Sequence, residues 1–404
     1  MIKINTDKFD QAVIDALYRD PTSELLRHIR SKITQELRSS VNPIVRAFLT
    51  QWFVSAGSVS DQKISEYLLH ENPRAVIASF WEIISQIYSG TPVHGEKLSR
   101  WKMTKKQALE EKNHALRRQI VASVITRDTV DLFSNISITD VESYAKRGTV
   151  ISNLDKLKQV SFTFSDDLYG NDIRGIRGAC QILENIFDYT GLVPCFRHKL
   201  LTAMHVSVCP YCNRQYITTY ESEDAKKSTA DIDHFYAKDE YPYLALSLHN
   251  FVPSCQICNS RFKLAKDFYV SEHIYPYTQE FGADAVFKIA DLRVLIDGKA
   301  PDGQNAFVLE TTDANEAVEN SIRTFHLNEV YQSHFDYVSE LIWKSKAYNK
   351  ELIRDYLENF PELFADEKDF LFLLFGPYLQ TEDADKRPLA KLTQDILRDL
   401  GILD

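Results

Sequence analysis

Four of the six cysteines in the 404-residue sequence form two pairs of equal spacing, Cys209-Pro-Tyr-Cys212 and Cys255-Gln-Ile-Cys258, with 42 residues between them. A CxxC turn brings two thiolates within reach of one ion, and two such turns complete a tetrahedral sulfur site. Thiolate donors select zinc over hard cations. One such pair could serve redox chemistry, but two favour a structural zinc site. The gap between the pairs exceeds that of a simple zinc ribbon. The two knuckles must therefore hold an insertion with secondary structure of its own. Cys180 and Cys195 stand apart and read as small buried apolar groups.

The sequence begins MIKINTDKFDQAVIDALYRD, without a basic segment followed by an apolar one, and does not read as a secretory leader. No run of about 18 apolar residues marks a membrane span. Together with the metal-type cysteine spacing, this points to a soluble protein of a reducing cytoplasm. The net charge of −10 argues against nucleic-acid binding over the whole surface. Local binding stays open, because nine Lys/Arg nearly balance eight Asp/Glu between Cys195 and Phe268.

Three regions follow from the patterning: a helical region over 1–190, a cysteine-bearing core over 191–270, and a mixed β/helical region over 271–404. In the first, Leu25, Leu26, Ile29, Ile33 and Leu37 recur at helical spacing behind a candidate cap at Ser23, and Pro43 interrupts the pattern. Residues 60–70 and 74–88 read as further helices, with Ser60 as a cap. Residues 97–118 hold eight Lys/Arg against two Glu and read either as a solvated helix or as one lying along a phosphate backbone. In the third region, 286–312 reads as a small β meander with Asp297-Gly298 and Asp302-Gly303 turns, and 328–360 as helix. A final helix is expected from Pro388, ended by Gly401 at C′.

Within the insertion, RQYITTY (214–220) and TADIDHFY (229–236) are expected to pair as strands, followed by a loop with Asn250 near its end. A helix is then expected from the second knuckle, with Asn259 and Lys263 on one face. Strand alternation puts Asp231 and Asp233 on one face, and Ile232 and His234 on the other. Asp233 and His234 can meet one substrate only if the strand end twists or bulges. Taken singly, these are ordinary residues, and His205 and His249 are read so.

As a set, Asp233-His234, Asn250 and Cys258-Asn259, framed by two CxxC knuckles, resemble the HNH, or ββα-metal, endonucleases over residues 205–268. The resemblance implies a mainly α protein with a central zinc-stapled ββα-metal core and the small β meander after it. It implies His234 as general base and Asp233 and Asn259 as ligands of a catalytic Mg²⁺ or Mn²⁺, with Asp231 an additional contact. Asn250 would fasten the loop and orient the histidine, and Cys209, Cys212, Cys255 and Cys258 would hold zinc. Arg261, Lys263 and Lys266 are expected at substrate phosphates, although the lysine common in the family three residues after the helical Asn is here Phe262. An unperturbed imidazole titrates near 6.5 and can take a proton from water at neutral pH. The expected activity is hydrolysis of DNA phosphodiesters. An RNA-directed nuclease and a non-catalytic zinc-stabilised binding module are the alternatives.

More loosely, the helical front and the tail resemble HNH subunits of bacterial anti-phage defence systems of the Septu and retron-associated type. That likeness implies a partner ATPase of the ABC/SMC-like class. No GxxxxGK[ST] motif stands in this chain, so any ATP dependence would come from that partner.

Overall fold

Helix α1 (Gln11–Tyr18) starts where the Asp10 side chain accepts from the backbone N–H groups of Ala12 and Val13. Helix α2 (Glu24–Ser39) starts where Ser23 Oγ accepts from Leu26 N at 3.2 Å, the cap expected from sequence. It buries Leu25, Leu26, Ile29 and Ile33, while Leu37 is half-buried. Pro43 opens α3 (Pro43–Phe53), a position at which its missing N–H costs nothing, and Asn42 Oδ1 caps Ile44 N and Val45 N. A two-residue hairpin, β1 (Val54–Ser55) and β2 (Ser58–Val59), leads to α4 (Asp61–Leu68), capped by Ser60 as expected, and then to α5 (Pro73–Ile87).

The structure, a computed structural model, describes residues 1–87 and 171–403 except 223–225, 265, 270, 298–304, 313–314, 349, 365 and 381–383. The basic stretch 97–118 therefore lies outside the described residues. Among those described, the chain is mainly helical with small two-stranded sheets, and no helix is long and apolar enough to cross a membrane.

The chain divides into two units, one made of 1–33, 53–73 and 186–404, the other of 34–52 and 74–185. In the second, Phe48 packs edge-on against Phe80 at 5.5 Å and Gln51 donates to Ser79 Oγ. Helix α6 (Asn171–Ile186) belongs almost wholly to it. Cys180, on α6, is half-buried, and the side chain of Cys195 lies outside the described set.

The first unit contains the insertion. Helix α7 (Tyr189–Ala203) runs into the first knuckle, and the chain's first residues lie beside it, with Ile2 N donating to Pro210 O at 2.9 Å. The expected pairing of 214–220 with 229–236 does not form. Only β3 (Thr219–Glu221) makes a short hairpin, with β4 (Lys226–Ser228). The strand carrying DIDH, β5 (Ala230–His234), pairs instead with β6 (Phe251–Cys255), a segment expected to be loop. Pro253 would bar a central strand. A two-stranded ladder has no interior strand, and Pro253 is tolerated opposite Ile232. All of β6 is buried.

The meander is likewise reduced to one antiparallel pair, β7 (Ala285–Ile289) and β8 (Phe307–Thr311), with a short helix α8 (Leu292–Asp297) following β7. Its free edges are covered by side chains rather than by more strands. From the C-terminal helix, Asp395 Oδ2 accepts from Phe287 N and Asp399 Oδ2 from Ile289 N, while Asn328 Oδ1 accepts from Leu309 N. Helices α9 (Glu316–Thr324), α10 (Leu327–Tyr331), α11 (Phe335–Ala347), α12 (Lys350–Asn359) and α13 (Glu367–Phe375) follow, so 328–360 is broken into shorter pieces. The last helix, α14 (Ala390–Asp399), begins two residues after Pro388. It ends as expected at Gly401 (φ +70°), where Gly401 N donates to Arg398 O and Ile402 N to Leu397 O.

Candidate functional site

The two knuckles converge. The ligand atoms of Cys209, Cys212, Cys255 and Cys258 all lie within 4.8 Å of one another, and all four residues are buried. Cys212 Sγ and Cys255 Sγ are 3.9 Å apart, far beyond a disulfide bond. That spacing suits the edge of a tetrahedron built on Zn–S bonds of about 2.3 Å. Burial pushes the Cys209 thiol up, whereas hydrogen bonds from the three neighbouring thiols pull Cys255 down. Four thiolates this close repel one another, and a divalent cation relieves that repulsion. The donor set fits a structural metal such as zinc.

The first knuckle is fixed from outside. Asn213 sits at φ +51° with 1% exposure, its amide donating to Ala384 O and accepting from Lys391 N. Tyr331 donates to Cys212 O at 2.6 Å, and Arg214 N–H points at Cys212 Sγ at 3.4 Å. The second knuckle is continuous with β6, so the ladder register puts Ala230 opposite Cys255 and Asp231 opposite Ser254.

Asp233 is 4% exposed and both its oxygens are engaged. Tyr211, inside the first knuckle, donates its hydroxyl to Oδ2 at 2.5 Å, and Lys263 Nζ lies 3.0 Å from Oδ1. Lys263 is 1% exposed, also donates to His234 O at 2.7 Å, and lies over the Phe268 ring. It reaches inward because the segment after the second knuckle, Cys258–Lys263, is a π-turn, with Leu264 N donating to Asn259 O at 3.0 Å. The extra residue in a π-turn moves the fourth position after Asn259 towards where the third would face in an α-helix. The turn accounts for Lys263, rather than Phe262, facing inward. Lys263, expected at substrate phosphates, is instead bound to Asp233.

His234 is buried between Tyr189 and Phe251, whose rings meet its imidazole edge-on at 4.5 and 5.2 Å. Burial pulls it down to about 4, so it is neutral at pH 7. Its Nε2 stands 2.9 Å from Ala245 O. A carbonyl oxygen only accepts, so Nε2 carries the proton and Nδ1 keeps the lone pair. Nδ1 has no hydrogen-bond partner among the described residues.

Asn250 is fully buried and closes the loop between β5 and β6. Its Oδ1 accepts from Tyr236 N at 2.8 Å and its Nδ2 donates to Tyr236 O and Leu244 O. Because Ala245 follows Leu244, this clasp also positions the carbonyl that orients His234.

Asp231 and Asn259 meet at the edge of the same ladder. Asn259 Nδ2 donates to Asp231 Oδ2 at 3.3 Å, and the Asp231 side chain retains 30% exposure. Arg197, from α7, donates to Ala230 O at 2.8 Å and lies 3.5 Å from Asp231 Oδ1. Arg261 and Lys266 are exposed.

Sequence reasoning missed Tyr189, Arg197 and Tyr211. Tyr211 carried a signal, being the one side chain within CPYC, apart from the two cysteines, able to hydrogen-bond to a neighbour. Tyr189, pushed up to about 12 by burial, and Arg197 lie more than thirty residues before the DIDH strand, and nothing local links them to it. Comparison with protein-family models, curated proteins and solved structures finds no match for this chain.

Proposed function

We propose that this chain is a metal-dependent endonuclease of the HNH class, hydrolysing phosphodiester bonds in DNA. The observation that carries the reading is the order strand, clasped loop, strand and helical turn built on the knuckles. Asp233-His234 closes the first strand and Asn259 stands in the first turn of the helical segment. The family resemblance supports the same reading, and the cysteine cluster would supply the staple.

In this reading His234 Nδ1 takes a proton from the attacking water while the Ala245 carbonyl holds the tautomer. The water oxygen bonds to phosphorus, the bond to the leaving oxygen breaks, and that oxygen is protonated from solvent. Tyr189 and Phe251 keep the imidazole from turning away. Oxygen donors on β5 and Asn259 would hold a Mg²⁺ or Mn²⁺ ion, whose charge would stabilise the scissile phosphate and the leaving oxygen. Arg261 and Lys266 are exposed and would contact flanking phosphates in this reading. The looser resemblance extends the proposal to a defence effector working with an ATPase subunit.

A second reading, a zinc-stapled module that binds without cutting, is favoured by the closed Asp233–Lys263 pair. One assay separates the two. Purified protein is incubated with supercoiled plasmid and Mg²⁺ or Mn²⁺ beside His234→Ala, with a structured RNA in parallel. Cleavage by the parent and a loss of about 10²-fold or more in the variant support the nuclease. No cleavage with any metal, with or without a co-purified partner, overturns it.

A further inference from the structure

The strand reading treats Asp231 and Asp233 as equivalent neighbours on one face, but their surroundings differ. Asp233 is closed off, with one oxygen held by the Tyr211 hydroxyl and the other by the Lys263 ammonium. A divalent cation reaching it would have to displace a buried ammonium that has nowhere to go, or bind beside it against like-charge repulsion. Asp233 does not fit the ion that the family resemblance assigns to it.

Asp231 does fit. It is half-exposed, and one of its oxygens faces the Asn259 amide at 3.3 Å. A half-turn of that amide exchanges Nδ2 for Oδ1. Two acceptor oxygens would then face each other, an arrangement that a cation between them would relieve. Hard divalent ions favour one carboxylate and one amide oxygen at an open edge, where coordination places remain for water and substrate phosphate. The spacing is set by the zinc staple, since Asp231 sits opposite Ser254, beside Cys255, and Asn259 follows Cys258. Arg197, 3.5 Å from the other Asp231 oxygen, weakens binding of the free ion.

We propose that the two aspartates of DIDH divide their roles: Asp231 with Asn259 takes the divalent cation, and Asp233 with Tyr211 and Lys263 is a buried structural clasp. The proposal rests on the nuclease reading for the ion's purpose, but the binding itself can be read without any cleavage.

The test is Mn²⁺ binding to the zinc-loaded full chain, followed by electron paramagnetic resonance of the free ion. Asp231→Asn is expected to weaken Mn²⁺ binding at least tenfold, with zinc content and melting temperature unchanged. The double variant Asp233→Asn with Lys263→Met removes the clasp without leaving a lone buried charge, and is expected to keep Mn²⁺ affinity within about twofold. If Asp231→Asn binds Mn²⁺ like the parent, the proposal is overturned. It is equally overturned if the folded, zinc-replete double variant loses binding, or if the parent binds no Mn²⁺ at millimolar concentration. Should the double variant not fold, Asp231→Asn decides alone. Mn²⁺ binding without cleavage of any nucleic acid would count against the nuclease reading and leave this assignment standing.

Discussion

Tyr211 donates its hydroxyl to Asp233 at 2.5 Å, so a residue inside the first cysteine turn holds a carboxylate on the strand between the knuckles. The cysteine cluster and the DIDH strand are thereby one mechanical unit.

That hydrogen bond has a measurable worth. Tyr211→Phe leaves the ring stacked on Phe325 and removes only the hydroxyl from a buried carboxylate. Chemical denaturation is expected to show a loss of about 1–3 kcal/mol, with zinc content unchanged. An unchanged midpoint would show that the bond does not form in solution.

Lys263→Met alone strands a buried carboxylate and is expected to cost about 3–5 kcal/mol. Adding Asp233→Asn should recover part of that loss, because the second change removes the unpaired charge. A double-mutant cycle measures the coupling, and purely additive effects would argue against the ion pair.

The sulfur site should govern folding as a whole. Cys209→Ser is expected to yield little soluble protein, because zinc binding and folding share one free energy, about 10 kcal/mol or more for structural sites. Chelation of the wild-type protein should lower its melting temperature steeply, and metal analysis of the purified chain should return one zinc.

Acid should destabilise the protein through His273. Burial pulls this histidine down to about 4, with Nδ1 on Ser271 O and Nε2 on the Thr324 hydroxyl. The folded-state value lies below the unfolded value near 6.5, so the unfolded chain binds more protons between the two. Stability is therefore complete above about pH 6.5, falls as the pH drops towards 4, and levels off below. The full effect is about 3 kcal/mol. Denaturation midpoints at pH 7 and pH 5 should differ less in His273→Gln than in the parent.

Much of the local architecture was legible in the residues. Ser23 and Ser60 announce helix starts because a hydroxyl there satisfies a free N–H, and Gly401 announces an end because it accepts positive φ. The four cysteines were legible for the same reason, since thiolate chemistry and CxxC spacing leave few uses. The strand pairing was not. Nothing local in FVPSC marks it as the partner of DIDH, and only the assembled ladder shows that the missing N–H of Pro253 is harmless. The π-turn was hidden as well, because periodicity offers no sign of one extra residue in a short helical segment.

The sequence by itself determined the four cysteines of the cluster, the polar set on the DIDH strand and the helix ends marked by Ser23, Ser60 and Gly401, all governed by residue type and short spacing. Tertiary structure alone decided which carboxylate is sealed and which is open. That depended on where Tyr211, Lys263 and Arg197 arrive from other elements, and on how deeply each meeting is buried. Burial turns Asp233 into part of an ion pair, while Asp231 keeps partial exposure beside Asn259 and Arg197, although only one residue separates the two.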